Sequence, residues 1–159
     1  MGCPKNLVDS EKLAALLADE GFIVEHEQPD ADIVIINTCG FINDAKEESI
    51  NEILSHCAQK NNGKEVKVLV TGCLSERYGE QLKKEIPEAD AIFGADEYEK
   101  VVEWITGHAQ KSGSKRILGT PQHYAYLKIS EGCDRTCSFC AIPIIRGGHR
   151  SFPEEALLE

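Results

Sequence analysis

The period of the apolar positions changes several times along the chain, and each change marks an element. Leu13, Leu16 and Leu17 fall at helical steps behind Asn6, which reads as a helix cap with Asp9 as the acid of a capping box, and Gly21 ends the stripe. Residues 22–25 read as a short strand. Ile33, Val34, Ile35 and Ile36 leave no polar face, so the strand over 32–38 should be buried on both sides. Ile50, Ile53 and Leu54 predict a long amphipathic helix over 43–59. A strand over 66–71, a helix over 75–86, a strand over 89–93 and a helix over 96–105 follow. Such alternation predicts an α/β domain over residues 1–106, with a doubly wound and mainly parallel sheet.

Residues 107–123 have Gly, Ser, Lys and Pro and no apolar period, which predicts a linker. A strand over 124–129 then runs into Ser130, Glu131, Gly132 and Cys133, and a helix is expected over 153–159, opened by Pro153. A strand, a loop and a helix start cannot bury a core alone. Residues 124–159 are therefore expected to open a second, truncated domain. The apolar runs 33–36 and 66–70 are far too short to cross a bilayer. Gly2, Cys3, Pro4 and Lys5 do not resemble the apolar core of a signal peptide, so a cytoplasmic protein with no membrane partner is expected.

Composition sharpens this picture in two ways. Apolar residues make up 42% of the 159, enough for a packed core. The 7 cysteines are too sparse for a disulfide scaffold and odd in number, which favours metal or redox use in a reducing compartment. The net charge of −10 is unevenly spread: residues 1–106 hold 22 acids and 10 bases, residues 107–159 hold 5 and 7. An acidic domain is a poor partner for a phosphate backbone, so nucleic acid is not the expected ligand. It suits a basic protein, or serves only solubility.

The cysteines fall into three groups. Cys133, Cys137 and Cys140 lie in CDRTCSFC, a C-x3-C-x2-C loop after a strand. Thiolates at that spacing converge when the backbone wraps round a cluster, and three ligands leave one iron of a four-iron cluster open. Zinc would need a fourth ligand, for which His149 is the local candidate. Cys3, Cys39 and Cys73 recur about one βαβ unit apart, Cys39 after DIVIINT and Cys73 after VKVLVTG. The carboxyl ends of parallel strands line one edge, where ligands bind, and Gly2, Gly40 and Gly72 would let a backbone approach a bulky group. Buried thiols at strand ends are the alternative. Cys57 shares a helix face with Ile50 and Ile53 and reads as core packing. His26, His56, His108 and His123 show no paired ligand spacing, and His149 sits in a basic stretch with Arg146 and Arg150 that could meet an anion or water.

CxxxCxxC with Phe139 before its last cysteine resembles the radical-SAM signature. The upstream segments MGCPKNLVDSE, INTCGFINDAKEESI and VTGCLSERYGEQL are similar to the amino-terminal domain of methylthiotransferases, most closely its RimO branch. That resemblance implies two [4Fe-4S] clusters, one on Cys133, Cys137 and Cys140 that binds S-adenosyl-L-methionine, and one on Cys3, Cys39 and Cys73 that carries the transferred sulfur. It implies that Phe139 packs near the nucleoside of S-adenosylmethionine. It further implies methylthio transfer to the β-carbon of an aspartate in a basic small-subunit ribosomal protein, with a flavodoxin- or ferredoxin-type electron donor. The chain departs from the family pattern in lacking an apolar strand before Cys3 and in having Phe152 where an arginine is expected. A fragment of this kind is expected to be inactive alone. A tRNA methylthiotransferase of the MiaB type and a non-catalytic iron–sulfur module are the alternatives.

Overall fold

A computed structural model of the chain describes residues 2–26, 28, 30–61, 63, 65–109 and 115–158. In chain order the elements are α1 (Pro4–Asp19), β1 (Ile33–Thr38), α2 (Asn43–Asn61), β2 (Lys67–Gly72), α3 (Cys73–Glu85), β3 (Ala91–Ile92), α4 (Tyr98–Thr106), β4 (Ser130–Glu131), α5 (Ile142–Arg146), β5 (Arg150–Ser151) and α6 (Glu154–Leu158). They divide between two compact units, one of Met1–Gly2 and Glu25–Ala95, the other of Cys3–Val24 and Asp96–Glu159.

The first unit is α/β with a parallel sheet, as the alternation predicts. Its strands lie in the order β1-β2-β3, β1 pairing with β2 from Ile33 opposite Lys67 to Thr38 opposite Gly72. Both crossovers step the same way, and a reversal of winding is not seen among the described strands. Side chains two apart on a strand share a face. Ile36, Val68 and Val70 accordingly meet Ile53 and Cys57 of α2 and Leu74 and Leu82 of α3 in one core. Cys57 is 3% exposed there, the packing thiol expected, and burial pushes its pKa up. Of the strand expected over 89–93 only Ala91–Ile92 ladders with β2, flanked by hydrogen bonds from Asp90 N to Val68 O and from Phe93 N to Val70 O, both 2.8 Å.

In the second unit α1 turns Val8, Leu13, Leu16 and Leu17 inward, and α4 buries Val101 and Val102. Gly21 ends α1 as expected: its φ is +87°, its N–H reaches Ala18 O and the Phe22 N–H reaches Leu17 O, the paired bonds of a Schellman motif. The expected start is corrected. The helix begins at Pro4 with Cys3 extended at the cap, and Asn6 and Asp9 are buried inside it, drawn into contacts with cations.

Two expected strands do not form. Residues 22–25 have no regular structure, and Ile23 is 90% exposed. Residues 124–129 are irregular too, with Tyr124, Tyr126, Leu127 and Ile129 exposed. Alternating apolar residues make a strand only where a neighbour supplies the ladder. Here pairing starts at Ile129, whose carbonyl accepts from Phe152 N at 3.0 Å, and the strand itself is Ser130–Glu131, antiparallel to Arg150–Ser151. The helix expected over 153–159 is present as α6. Residues 110–114 of the expected linker lie outside the described residues. Its following part is held along α1, where Glu11 accepts from Ile117 N on its carbonyl at 3.1 Å and from Gly119 N on its side chain at 2.9 Å.

Asp90 closes the β2–α3–β3 crossover, accepting from Val68 N at 2.8 Å and Lys60 Nζ at 2.7 Å. Burial opposes its charge, but these donors outweigh it and hold its pKa below the ordinary aspartate value. A depressed carboxyl contributes stability above its unfolded pKa and loses it as pH falls through the folded one. Asp90→Asn should cost about 1 kcal/mol at neutral pH, after discounting for solvent screening. It should also flatten the loss of stability below about pH 4 in urea titrations; an unchanged acid slope would contradict the assignment.

Candidate functional site

The carboxyl end of β1 and β2 carries Cys39 and Cys73. Register puts Thr38 opposite Gly72, so the next residue on each strand is a cysteine, and both are buried at 8% exposure. The two backbones nearly touch. A Cβ on Gly40 would lie 2.7 Å from Cys73 O and 2.8 Å from Leu74 Cα, and one on Gly72 would lie 2.5 Å from Thr38 O. Gly72 also has φ +104°, a conformation that other residues resist. Hydroxyls fasten the edge: Thr38 donates to Thr71 O at 2.6 Å, Ser75 to Phe93 O at 2.6 Å, and Ser49 accepts from Cys39 N at 3.0 Å. Cys3 belongs to the second unit, exposed at the start of α1.

The second cysteine set lies on the loop between β4 and α5, and that loop is cinched at its base. Gly132, at φ +74°, leaves room for the carbonyl of Gly148, which a Cβ would approach to 2.0 Å. Cys133 N donates to Gly147 O at 3.0 Å, and Asp134 Oδ1 accepts from His149 N at 2.8 Å. Within the loop, Cys140 N reaches Cys137 O at 3.1 Å, and Arg135 N approaches Cys133 Sγ at 3.5 Å. Cys133 and Cys140 are half-buried, Cys137 is exposed, and the Phe139 ring is 87% exposed.

Below this loop is a buried cluster of charges. Arg146, at the end of α5, reaches Asp9 Oδ2 at 2.6 Å, Glu131 Oε2 at 3.4 Å and Asn6 Oδ1 at 3.0 Å. Lys128 bridges Asp9 Oδ1, at 2.7 Å, and Glu131. Lys5 adds bonds to Ser130 O at 2.9 Å and Glu131 Oε1 at 3.0 Å. Burial opposes ionisation of Glu131, but hydrogen bonds from Lys128 and Lys5 and the charge of Arg146 overcome it and lower its pKa to about 2. Tyr98, buried beside Asp9 and Asp96, has its phenol pushed well above the ordinary value. Among the described residues the one trio of His, Cys, Asp or Glu donors within 4.8 Å of one another is Asp9, Asp96 and Glu131. Lys5, Lys128, Arg146 and Arg150 pair with that trio, which is ion-paired within the protein.

The structure thus brings Cys39 and Cys73 together, and it gathers Cys133, Cys137 and Cys140 on one loop. Of the basic stretch around His149, Arg146 is corrected: it is turned inward at 6% exposure and its charge is spent on Asp9 and Glu131. Sequence reasoning missed the charge cluster. A signal was there in part, because Asn6 and Asp9 extend the buried stripe of Leu13 and Leu16 backward at helical steps. Their partners, more than a hundred residues away, carry no such mark.

These features define the class. The chain belongs to the family described as uncharacterized protein family UPF0004, whose model matches residues 1–94 and so includes Cys3, Cys39 and Cys73. Over its whole length the chain is also similar to proteins named ribosomal protein uS12 methylthiotransferase RimO: 53% identical to that of Phocaeicola vulgatus, 48% to that of Cytophaga hutchinsonii and 52% to that of a Sulfurihydrogenibium species. All of this chain is covered in each case, and 38%, 37% and 36% of those relatives respectively. The chain therefore spans well under half the length of the relatives it matches. The resemblance that the cysteine motifs carry is borne out by this similarity.

Both glycine contacts are testable. Gly40→Ala and Gly132→Ala each drive a methyl into backbone and should cost about 3 kcal/mol or more in thermal or urea unfolding, the upper range for overpacking. Gly107→Ala is the control: its added Cβ meets nothing within 4 Å, though φ +79° strains it. A loss no larger at Gly40 than at Gly107 would contradict the close approach of β1 and β2.

Proposed function

We propose that this chain is the cluster-bearing part of a radical-SAM methylthiotransferase that modifies an aspartate of ribosomal protein uS12 at its β-carbon. The observation that carries the proposal is the cinched C-x3-C-x2-C loop in a chain about half identical along its whole length to proteins of that name. Cys133, Cys137 and Cys140 would hold one four-iron cluster, and Cys3, Cys39 and Cys73 a second.

The residues present suit such groups. Gly132 and Gly40 let protein backbone close against the two cysteine-bearing segments, and the Arg135 amide supplies a donor to Cys133 Sγ. Bound at these cysteines with S-adenosylmethionine, the clusters would supply the radical chemistry that an unactivated C–H bond demands and that no acid or base can. The chain's own residues carry the sulfurs, keep the loop in place and expose the Phe139 ring beside Cys140 for contact with a nucleoside. A reductant of the flavodoxin or ferredoxin type would supply electrons, and the basic substrate suits the net charge of −10. No helix among the described residues is long and apolar enough to cross a membrane, which accords with action in the cytoplasm.

Anaerobic reconstitution tests the reading. Iron and sulfide should approach about eight each per chain and fall by half when either cysteine set is replaced by alanine. Iron bound by only one set, or zinc in either, would overturn the two-cluster assignment.

A further inference from the structure

The buried charge cluster of the second unit is an unusual way to fill a core. Asp9, Glu131, Lys128 and Arg146 side chains are each no more than 5% exposed, and Asn6 is 1% exposed. Apolar side chains of similar volume would pack there at no loss of stability and often at a gain, so stability does not explain the charges. What charges add over methylenes is direction, because a guanidinium shared among three partners satisfies them in one geometry and leaves them unpaired in any other.

The partners come from the two cysteine-bearing segments of this unit. Lys5, Asn6 and Asp9 stand two, three and six residues after Cys3. Lys128 and Glu131 stand five and two residues before Cys133. Arg146 immediately precedes Gly147, whose carbonyl accepts from Cys133 N at 3.0 Å. The single guanidinium thus bonds Asn6 and Asp9 on α1 and Glu131 at the entry of the loop, while its own backbone neighbour closes the loop's exit. A slip of α1 by one residue would leave Asp9 and Glu131 buried without a full complement of donors, at a cost that a slip between apolar faces does not incur.

We propose that Asn6, Asp9, Lys128, Glu131 and Arg146 are positioning residues: a buried ionic clamp that fixes the register of the Cys3 end of α1 against the Cys133–Cys137–Cys140 loop. The proposal rests on the function proposed above only for its purpose, the spacing of two cluster sites. The clamp itself is a property of the metal-free chain.

It is tested without any cluster. Cys3 and Cys137 are both exposed, so with the other cysteines replaced by serine or alanine they accept a pair of spin labels. Pulsed electron paramagnetic resonance should find one narrow distance in the otherwise unaltered chain. Arg146→Gln should lose that narrow distance and give a broad or shifted distribution at unchanged helix content by circular dichroism, and Arg146→Lys should restore it in part. Val101→Ala, a cavity in the same unit, should lower the unfolding midpoint while keeping the distance narrow. If Arg146→Gln does not fold, Lys5→Gln, which removes the half-exposed cation that ties α1 to Ser130 and to Glu131 of the clamp, should broaden the distance instead. A distance equally narrow in the folded clamp variants, or equally broadened by Val101→Ala, overturns the proposal. Absence of iron binding in the reconstitution above, with the clamp result intact, would overturn the functional reading and leave the clamp standing.

Discussion

The pairing of Thr38 with Gly72 is the constraint on which the first unit depends. In a parallel ladder one residue of slip exchanges the faces of a strand, so the core face of Ile36, Val68 and Val70 and the position of the strand ends are set by the same register. With that register, the residues that follow the two strands are Cys39 and Cys73. Nothing larger than glycine fits at positions 40 and 72, because the chain must turn there into a second backbone at contact distance. The serine and threonine hydroxyls then bind the carbonyls that the strands leave behind as they end.

The second unit reaches a comparable result by other means. Its cysteine loop leaves a strand of only two residues and a helix of five, too little regular structure to hold a loop by backbone ladders alone. Side chains make up the difference. Charges within the core fix the ends of the loop, and glycines at 132, 147 and 148 let those ends meet. One site is framed by backbone pairing, the other by ion pairs.

Much of this was legible from sequence, for identifiable reasons. The apolar runs at 33–36 and 66–70 read as parallel strands, and the structure has them, β2 buried from Val68 onward but β1 only half-buried at Ile33, Val34 and Ile35. Gly21 as a helix end and Cys57 as a core thiol followed from local spacing. The cysteines were legible as groups because Cys39 and Cys73 each follow a strand of the sheet and Cys133, Cys137 and Cys140 share one short loop. What was lost is non-local. Tyr124, Tyr126, Leu127 and Ile129 promised a strand, but among the described residues no strand ladders with 124–128. Asn6 and Asp9 looked like capping residues because polar side chains near a helix start usually are. Their actual partners, Lys128 and Arg146, lie more than a hundred residues on, beyond what periodicity can reach.

The central claim is that Cys39 and Cys73 serve one group at the carboxyl edge of the sheet, separate from the group on the Cys133 loop. Mössbauer spectroscopy of the chain reconstituted with iron-57 tests it most directly, comparing Cys39→Ala, Cys73→Ala and Cys137→Ala one at a time. The account predicts that the first two variants lose or alter the same spectral component and that the third affects the other. Different components lost on replacing Cys39 and Cys73, or a single component affected by all three, would contradict it.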